Sequence, residues 1–301
     1  MANASANPVK PRISLVCNTL NEERNLPNLL RSVQTWVDEI IVVDMHSEDN
    51  TVAIAQEFGA KVYPFERMGF CEPARKFAVE QATGDWILIL DADEVVPEPL
   101  SKELIRIAGS GEADVVDIAW LNFIAAAPWY HTGWGPTNDR HMRFFRKGAL
   151  IFGDAIHAGV HSAPRVKIHR LPFTYDHSVH HFSYLDWTHF LEKLNRYTTV
   201  EAEQAYARGE RASQSKAIFQ ALFEFANRYV RHKGYRDGWR GFYSSAFMMT
   251  YRIAIHAKLQ QMESVGGRVQ IAAQYRAFAD QLIAAYGPQE TIAVQNQRPG
   301  K

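Results

Sequence analysis

The stretch WILILDADE, residues 86–94, drives an apolar run straight into three carboxylates, Asp91, Asp93 and Glu94. Like charges at this spacing repel, and none enters a core unpaired, so a positive partner must sit among them. A divalent metal carrying an anionic ligand meets that need, because hard cations such as magnesium and manganese take carboxylate oxygen and bridge to phosphates. Two more polar clusters, NTLNEE (18–23) and DMHSEDNT (44–51), also close apolar runs. Downstream, RHMRFFRK (140–147) spaces Arg140, Arg143 and Arg146 among bulky apolar side chains. That pattern is either one strand face turned toward phosphate or a solvated strand edge. Trp129, Tyr130 and Trp134 surround the turn-rich GWGPTND (133–139), as faces for a sugar ring or as a packing cluster over the sheet.

These groups need elements to hold them. ISLVC (13–17), EIIVVD (39–44), KVYPF (61–65) and WILILD (86–91) are apolar on both faces, as strands covered by helices on either side tend to be. NLPNLLRSVQTWV (25–37), NTVAIAQEF (50–58) and EPARKFAVEQA (72–82) separate them with helical periodicity. The repeat predicts an α/β fold with a right-handed, mainly parallel sheet, whose ligands gather at the carboxyl ends of the strands. From residue 186 the pattern is helical. One segment places Trp187, Phe190, Leu191, Leu194 and Tyr197 on a stripe, and a second does so with Ile218, Leu222, Phe225 and Tyr229. Two more helices are expected over 239–262 and 268–286.

Composition narrows the classes. Lysine plus arginine equals aspartate plus glutamate, at 33 each, so no overall field draws the chain to nucleic acid. There is neither a G-x-G-x-x-G turn nor a G-x-x-x-x-G-K-[ST] loop, which disfavours nicotinamide and P-loop enzymes. Cys17 and Cys71 suit reduced thiols better than a disulfide framework. No secretion signal and no run of ~20 apolar residues appear, so the expectation is a soluble or peripherally attached cytoplasmic protein. Arg228, Arg231, Lys233, Arg236 and Arg240 interleave with Tyr229, Tyr235, Trp239, Phe242 and Tyr243. This segment is either a contact with an anionic membrane or a charged face over an aromatic core.

SLVCNTLNEERNLPNLLRSV (14–33), EIIVVDMHSEDNT (39–51) and ARKFAVEQATGDWILILDADE (74–94), with the spacing between them, resemble a family 2 glycosyltransferase of the GT-A nucleotide-diphospho-sugar fold. HMRFFRKG (141–148), IHAGVH (156–161), HHFSYLDWTHFLEKLNRYTTVEA (180–202) and GYRDGWRGFYSSAF (234–247) resemble the subgroup that extends lipopolysaccharide core, described as β-1,4-glucosyltransferases. The resemblance implies a metal-dependent, inverting transfer of a sugar, glucose by family analogy, from a UDP-sugar to a hydroxyl of a bacterial envelope oligosaccharide. A lipid-linked acceptor would place it at the cytoplasmic face of the inner membrane. Asp91 and Asp93 match the manganese- or magnesium-binding motif, and Asp44 matches the aspartate that accepts the uracil imide N–H. Asn18, Thr19 and Glu22 would approach base and ribose, and Arg75 and Arg143 the nucleotide and its diphosphate.

Inversion also needs a base for the attacking hydroxyl. In the resembling subgroup a glutamate follows the histidine that matches His157, but here the next residue is Ala158. Either Asp154 or Asp139 supplies the base, or transfer is weak or lost and the chain only binds nucleotide sugars. His157 would complete the metal shell or hold the diphosphate. His161 and the histidines of DHSVHHF (176–182) fit no tetrahedral zinc spacing and read as hydrogen-bonded structural groups. The expected organisation is a disordered tail over 1–12, the GT-A catalytic domain over 13–185, a helical C-terminal extension over 186–290 and a tail over 291–301.

Overall fold

Strands β1 (Ile13–Thr19), β2 (Glu39–Asp44), β3 (Lys61–Pro64) and β4 (Trp86–Ile89) form on the four apolar runs, separated by helices α1 (Leu26–Val33), α2 (Thr51–Glu57) and α3 (Glu72–Gln81). The structure is a computed structural model and describes residues 10–67, 72–152 and 160–286. β1 runs parallel to β2 and to β4, and β2 parallel to β3. The runs are apolar throughout because both faces are covered. Leu15, Cys17, Val42 and Leu88 turn to a core shared with α1 and a later helix, whereas Val16, Ile41, Val43 and Ile87 turn to Ala74 and Ala78 of α3. Cys17 is a buried free thiol; Cys71 lies outside the described residues.

The chain then adds β5 (Glu94–Val95), α4 (Glu98–Ser110), β6 (Val115–Ile124), β7 (Ala127–Pro128), β8 (Arg140–Arg146), β9 (Leu150–Phe152), β10 (Val160–Ser162), β11 (Ile168–Arg170) and β12 (Ser178–Tyr184). The main sheet follows the order β3-β2-β1-β4-β8-β6-β12-β5. β8 is antiparallel to both of its neighbours, β4 and β6, while β12 runs parallel to β6. Phe144 faces Leu88, so the first residues of β8 reach past the carboxyl end of β4, where the acidic cluster begins. A strand paired on both sides is no sheet edge, which overturns the solvated-edge reading of the three β8 arginines.

Helices α5 (Trp187–Ala207), α6 (Gln214–Ala226), α7 (Gly238–Val265) and α8 (Arg268–Ala284) follow. The chain divides into two compact units, residues 1–191 with 225–246, and residues 192–224 with 247–301. Two predicted stripes need correction. In α5 the buried side is Phe190, Leu194, Thr198, Ala202 and Ala205, leaving Leu191 and Tyr197 40% and 44% exposed. In α6 the buried positions are Ala217, Ala221 and Glu224, so Ile218 and Leu222 point outward. Helical periodicity defines a face, and in α6 small residues occupy the inner one.

Candidate active site

The ends of β1, β2 and β4 deliver polar groups to one edge, as the parallel pairing requires. Thr19 pairs in register with Asp44, and its hydroxyl donates to the Asp44 Oδ1 at 3.0 Å. Asp44 is buried, and its other oxygen accepts the Ser47 backbone N–H at 2.9 Å. The two loops that follow are laced together: Glu22 N–H donates to Thr51 Oγ1 and Glu48 N–H to Asn21 Oδ1, with Asn21 in the left-handed region at φ 57°. The Glu22 carboxylate accepts from the Asn25 side chain at 2.8 Å, so it helps to anchor the start of α1.

The positive charge demanded by the acidic cluster comes from two guanidiniums and an imidazole. Arg75 Nη2 donates to both oxygens of Asp91 at 2.7 and 2.8 Å, and Arg143 Nη1 donates to Asp91 at 3.0 Å and to Glu94 at 3.1 Å. Arg143 also lies 5.3 Å from the centre of the Trp120 ring. Burial raises the Asp91 pKa, but Arg143 and Arg75 outweigh it and hold the carboxyl below its ordinary range. For Glu94 the balance reverses: burial, reinforced by Asp91 and Asp93, pushes its pKa up despite Arg143. Glu94 is wholly inside the protein, accepting from the Trp120 indole N–H at 2.6 Å and from the Asp91 backbone N–H at 2.9 Å. It orders the turn that carries Asp91.

Asp93 leads into a second chain of contacts. His181 Nε2 lies 3.4 Å from Asp93 Oδ2, and its Nδ1 bonds Asn122 Oδ1 at 2.6 Å. Asn122 in turn donates to the Trp134 carbonyl and to Asp139, whose other oxygen pairs with His141 Nε2 at 2.8 Å. Both His181 nitrogens therefore face acceptors, which favours the imidazolium. Burial lowers its pKa, but the Asp93 contact prevails and raises it. Asp139 is raised by burial and lowered more strongly by its His141 and Asn122 bonds. Its two oxygens are thus engaged and its basicity is reduced.

A cavity of about 690 Å³ adjoins the cluster, with Arg75, Arg140, Arg143 and Arg170 on its wall against one acid, Asp117. Of the three arginines of β8, Arg140 and Arg143 line it and Arg146 does not. Arg140 is tied to Asp117 and to the Leu171 carbonyl, Arg146 lies over Trp86 and pairs with Asp114, and only Arg143 reaches Asp91. Residues three apart on a regular strand fall on opposite sides, and the register irregularity where β8 pairs β6 accompanies the placing of Arg140 and Arg143 on one cavity wall. Asp154 and His157 lie outside the described residues. Among the described residues no group of three His, Cys, Asp or Glu is clustered to hold a metal ion. Asp91 and Asp93 nonetheless suit a hard cation that takes one or two carboxylates and completes its shell with substrate phosphate and water.

The aromatic loop is mainly packing. Trp129 is buried and stacks on Trp134 with ring centres 4.9 Å apart, leaving Tyr130 exposed. Gly135 permits this turn, since a Cβ there would stand 2.0 Å from the Tyr130 carbonyl oxygen. Arg228 lies 4.0 Å over the Trp134 ring and donates to the Thr132 carbonyl, while Arg240 lies over Trp239 and donates to the Ala125 carbonyl. Those two cations of the basic aromatic segment hold the loop. Sequence reasoning missed Trp120, Asn122 and the particular part of His181, although VVDIAWLNFI (115–124) and SVHHFSY (178–184) carry strand-like composition.

A mixed α/β sheet with acidic groups at the strand ends and an arginine-rich cavity beside them is the architecture of a GT-A glycosyltransferase. Residues 14–170 match glycosyl transferase family 2, just over half of the chain, and the chain belongs to that family. It is 28% identical over 267 residues to the lipopolysaccharide core biosynthesis glycosyltransferase LpsC of Rhizobium meliloti, covering 84% of this chain and 93% of that protein. It is 26% identical over 260 residues to an uncharacterized glycosyltransferase of Rickettsia felis, covering 83% and 90%. Among solved structures, the glucosyl-3-phosphoglycerate synthase of Mycobacterium tuberculosis, in complex with Mn2+, UDP and glucosyl-3-phosphoglycerate, is similar at 28% identity and a TM-score of 0.32. That match covers 38% of this chain and 44% of the synthase, less than half of its length.

Proposed function

We propose that this glycosyltransferase moves glucose, with inversion, from UDP-glucose to a hydroxyl of a bacterial envelope oligosaccharide such as lipopolysaccharide core, on a lipid-linked acceptor at the cytoplasmic face of the inner membrane. The observation that carries the reading is the meeting of Asp44, Asp91 and Asp93 at the carboxyl ends of parallel strands, with Arg75 and Arg143 fixed on Asp91. The likeness to LpsC along most of both chains supports the acceptor class.

In this reading Asp44 accepts the uracil imide N–H, held in place by Thr19 and Ser47. Asn18 and Glu22 border the base and ribose. Asp91 and Asp93, with His157, would hold manganese or magnesium, which when bound offsets negative charge on the departing diphosphate. Arg75 and Arg143 keep Asp91 ionised and aligned, and both line the cavity in which a diphosphate would meet them. For the base we favour Asp154 over Asp139, because Asp139 already accepts from Asn122 and His141 and is the weaker base for it.

Thermal unfolding of the purified protein across a panel of nucleotide sugars, each with and without manganese, tests this function. A ligand that binds only the folded state raises the midpoint in step with its affinity. UDP-glucose with manganese is expected to give the largest rise; an equal response to GDP- or CMP-sugars would reject the donor.

A further inference from the structure

Helix α6 is built inside out. Its buried positions are Ala217, Ala221 and Glu224, whereas Ile218, Phe219, Leu222 and Phe223 stand 59%, 70%, 62% and 56% exposed. At 100° per residue those four fall on one arc, and the rings of Phe219 and Phe223 stack one turn apart with centres separated by 6.4 Å. A surface helix ordinarily turns its large apolar side chains inward, and a contiguous outward patch marks an interaction surface. The helix cannot roll to hide it. Glu224 accepts from Nε and Nη2 of Arg252 at 3.1 Å, and Gln220 Oε1 bonds His256 at 3.1 Å, so rotation would break that hydrogen bond and an ion pair whose carboxylate is buried.

The surrounding charge selects the occupant. Between residues 211 and 224 the sequence carries Arg211 and Lys216, both exposed, against one acid, Glu224, which is paired with Arg252. Apolar side chains attended by cations complement an anionic bilayer, where rings enter the interface and ammonium groups meet headgroup phosphate. A second copy of the chain would bring the same cations together. The four side chains also expose only ~400 Å², short of the ~800 Å² per partner of a standard interface.

We propose that the outward face of α6 docks the protein on an anionic phospholipid surface, with Phe219 and Phe223 as interfacial anchors and Lys216 as a headgroup contact. This deepens, and rests on, the reading that the acceptor is membrane-borne. No helix of the described residues is long and apolar enough to cross a membrane, so the contact is peripheral.

The test is co-sedimentation with vesicles of phosphatidylcholine alone and of phosphatidylcholine with phosphatidylglycerol, for wild type, Phe219→Ser/Phe223→Ser and Lys216→Glu. Wild type is expected on the anionic vesicles only. The double variant should bind at least ~10-fold more weakly, and Lys216→Glu should lose part of the salt-sensitive binding. Thermal unfolding and the shift produced by UDP-glucose should not change, since these side chains are exposed. Equal binding by wild type and double variant, or no wild-type binding, overturns the proposal, as does a wild-type dimer in sedimentation velocity that the double variant dissolves. A wild type that binds vesicles yet responds to no UDP-sugar sinks the donor assignment and leaves the docking face standing.

Discussion

Replacing Arg143 with methionine isolates what the guanidinium does, because a straight apolar chain keeps the packing beside Trp120 and removes the charge. The Arg143 side chain is 16% exposed and its partner Glu94 only 1%, so the change leaves Glu94 buried without the cation that hydrogen-bonds it. Breaking a buried pair from one side costs about 3–5 kcal/mol, and the lost contact with the Trp120 ring adds about 0.5–1 kcal/mol. The midpoint of thermal unfolding should fall on the order of 10 °C at pH 8. Glu94 already has its pKa raised by burial, with Asp91 and Asp93 adding to it, and losing Arg143 raises it further. A carboxyl whose folded-state pKa exceeds its unfolded value favours the folded chain when protonated, and that advantage fades as pH rises through the folded value. The deficit should therefore be smaller at pH 5 than at pH 8. Adding Glu94→Gln should recover about 1–3 kcal/mol, read as a double-mutant cycle from urea titrations followed by tryptophan fluorescence. A loss below about 1 kcal/mol at pH 8, or no recovery in the double variant, would refute the reasoning.

Glu39 offers a test away from the site. Its buried carboxylate accepts from Ser14, Lys61 and Thr83, bonds that overcome burial and lower its pKa to about 2. That stability is present above the unfolded value near 4.5 and is lost as pH falls toward 2, so Glu39→Gln should cost about 3 kcal/mol at pH 7 and nearly nothing at pH 2 in urea titrations. Asp44→Asn, which turns an acceptor oxygen into a donor, should abolish most of the thermal shift given by UDP while leaving the unliganded midpoint within a few degrees. In initial-rate assays of sugar transfer, Asp154→Asn should lose at least ~100-fold and Asp139→Asn less than ~10-fold; the reverse order would move the base to Asp139.

Much of the edge was legible because its chemistry is local. Apolar runs ending in Asn18–Thr19, Asp44 and Asp91 define parallel strands and the side on which they finish. What escaped depends on long-range pairing. That Arg143 would meet Asp91, 52 residues away, follows from β8 running antiparallel to β4, which no local period encodes. The same holds for His181 and Asp93, joined through β12 beside β5. In α6 the period was right and the side was wrong, since Ala217 and Ala221 carry too little hydrophobicity to announce themselves as the inner face.

The central claim is that Asp91 and Asp93, braced by Arg75, Arg143 and His181, form the seat of a nucleotide diphosphate and its cation. Calorimetric titration of UDP into the wild type and Asp93→Asn, with and without manganese, tests it most directly. One site of clear affinity is expected in the wild type with manganese, weakened at least ~10-fold when manganese is withheld or Asp93 is replaced. Equal UDP affinity in all four titrations would contradict the account.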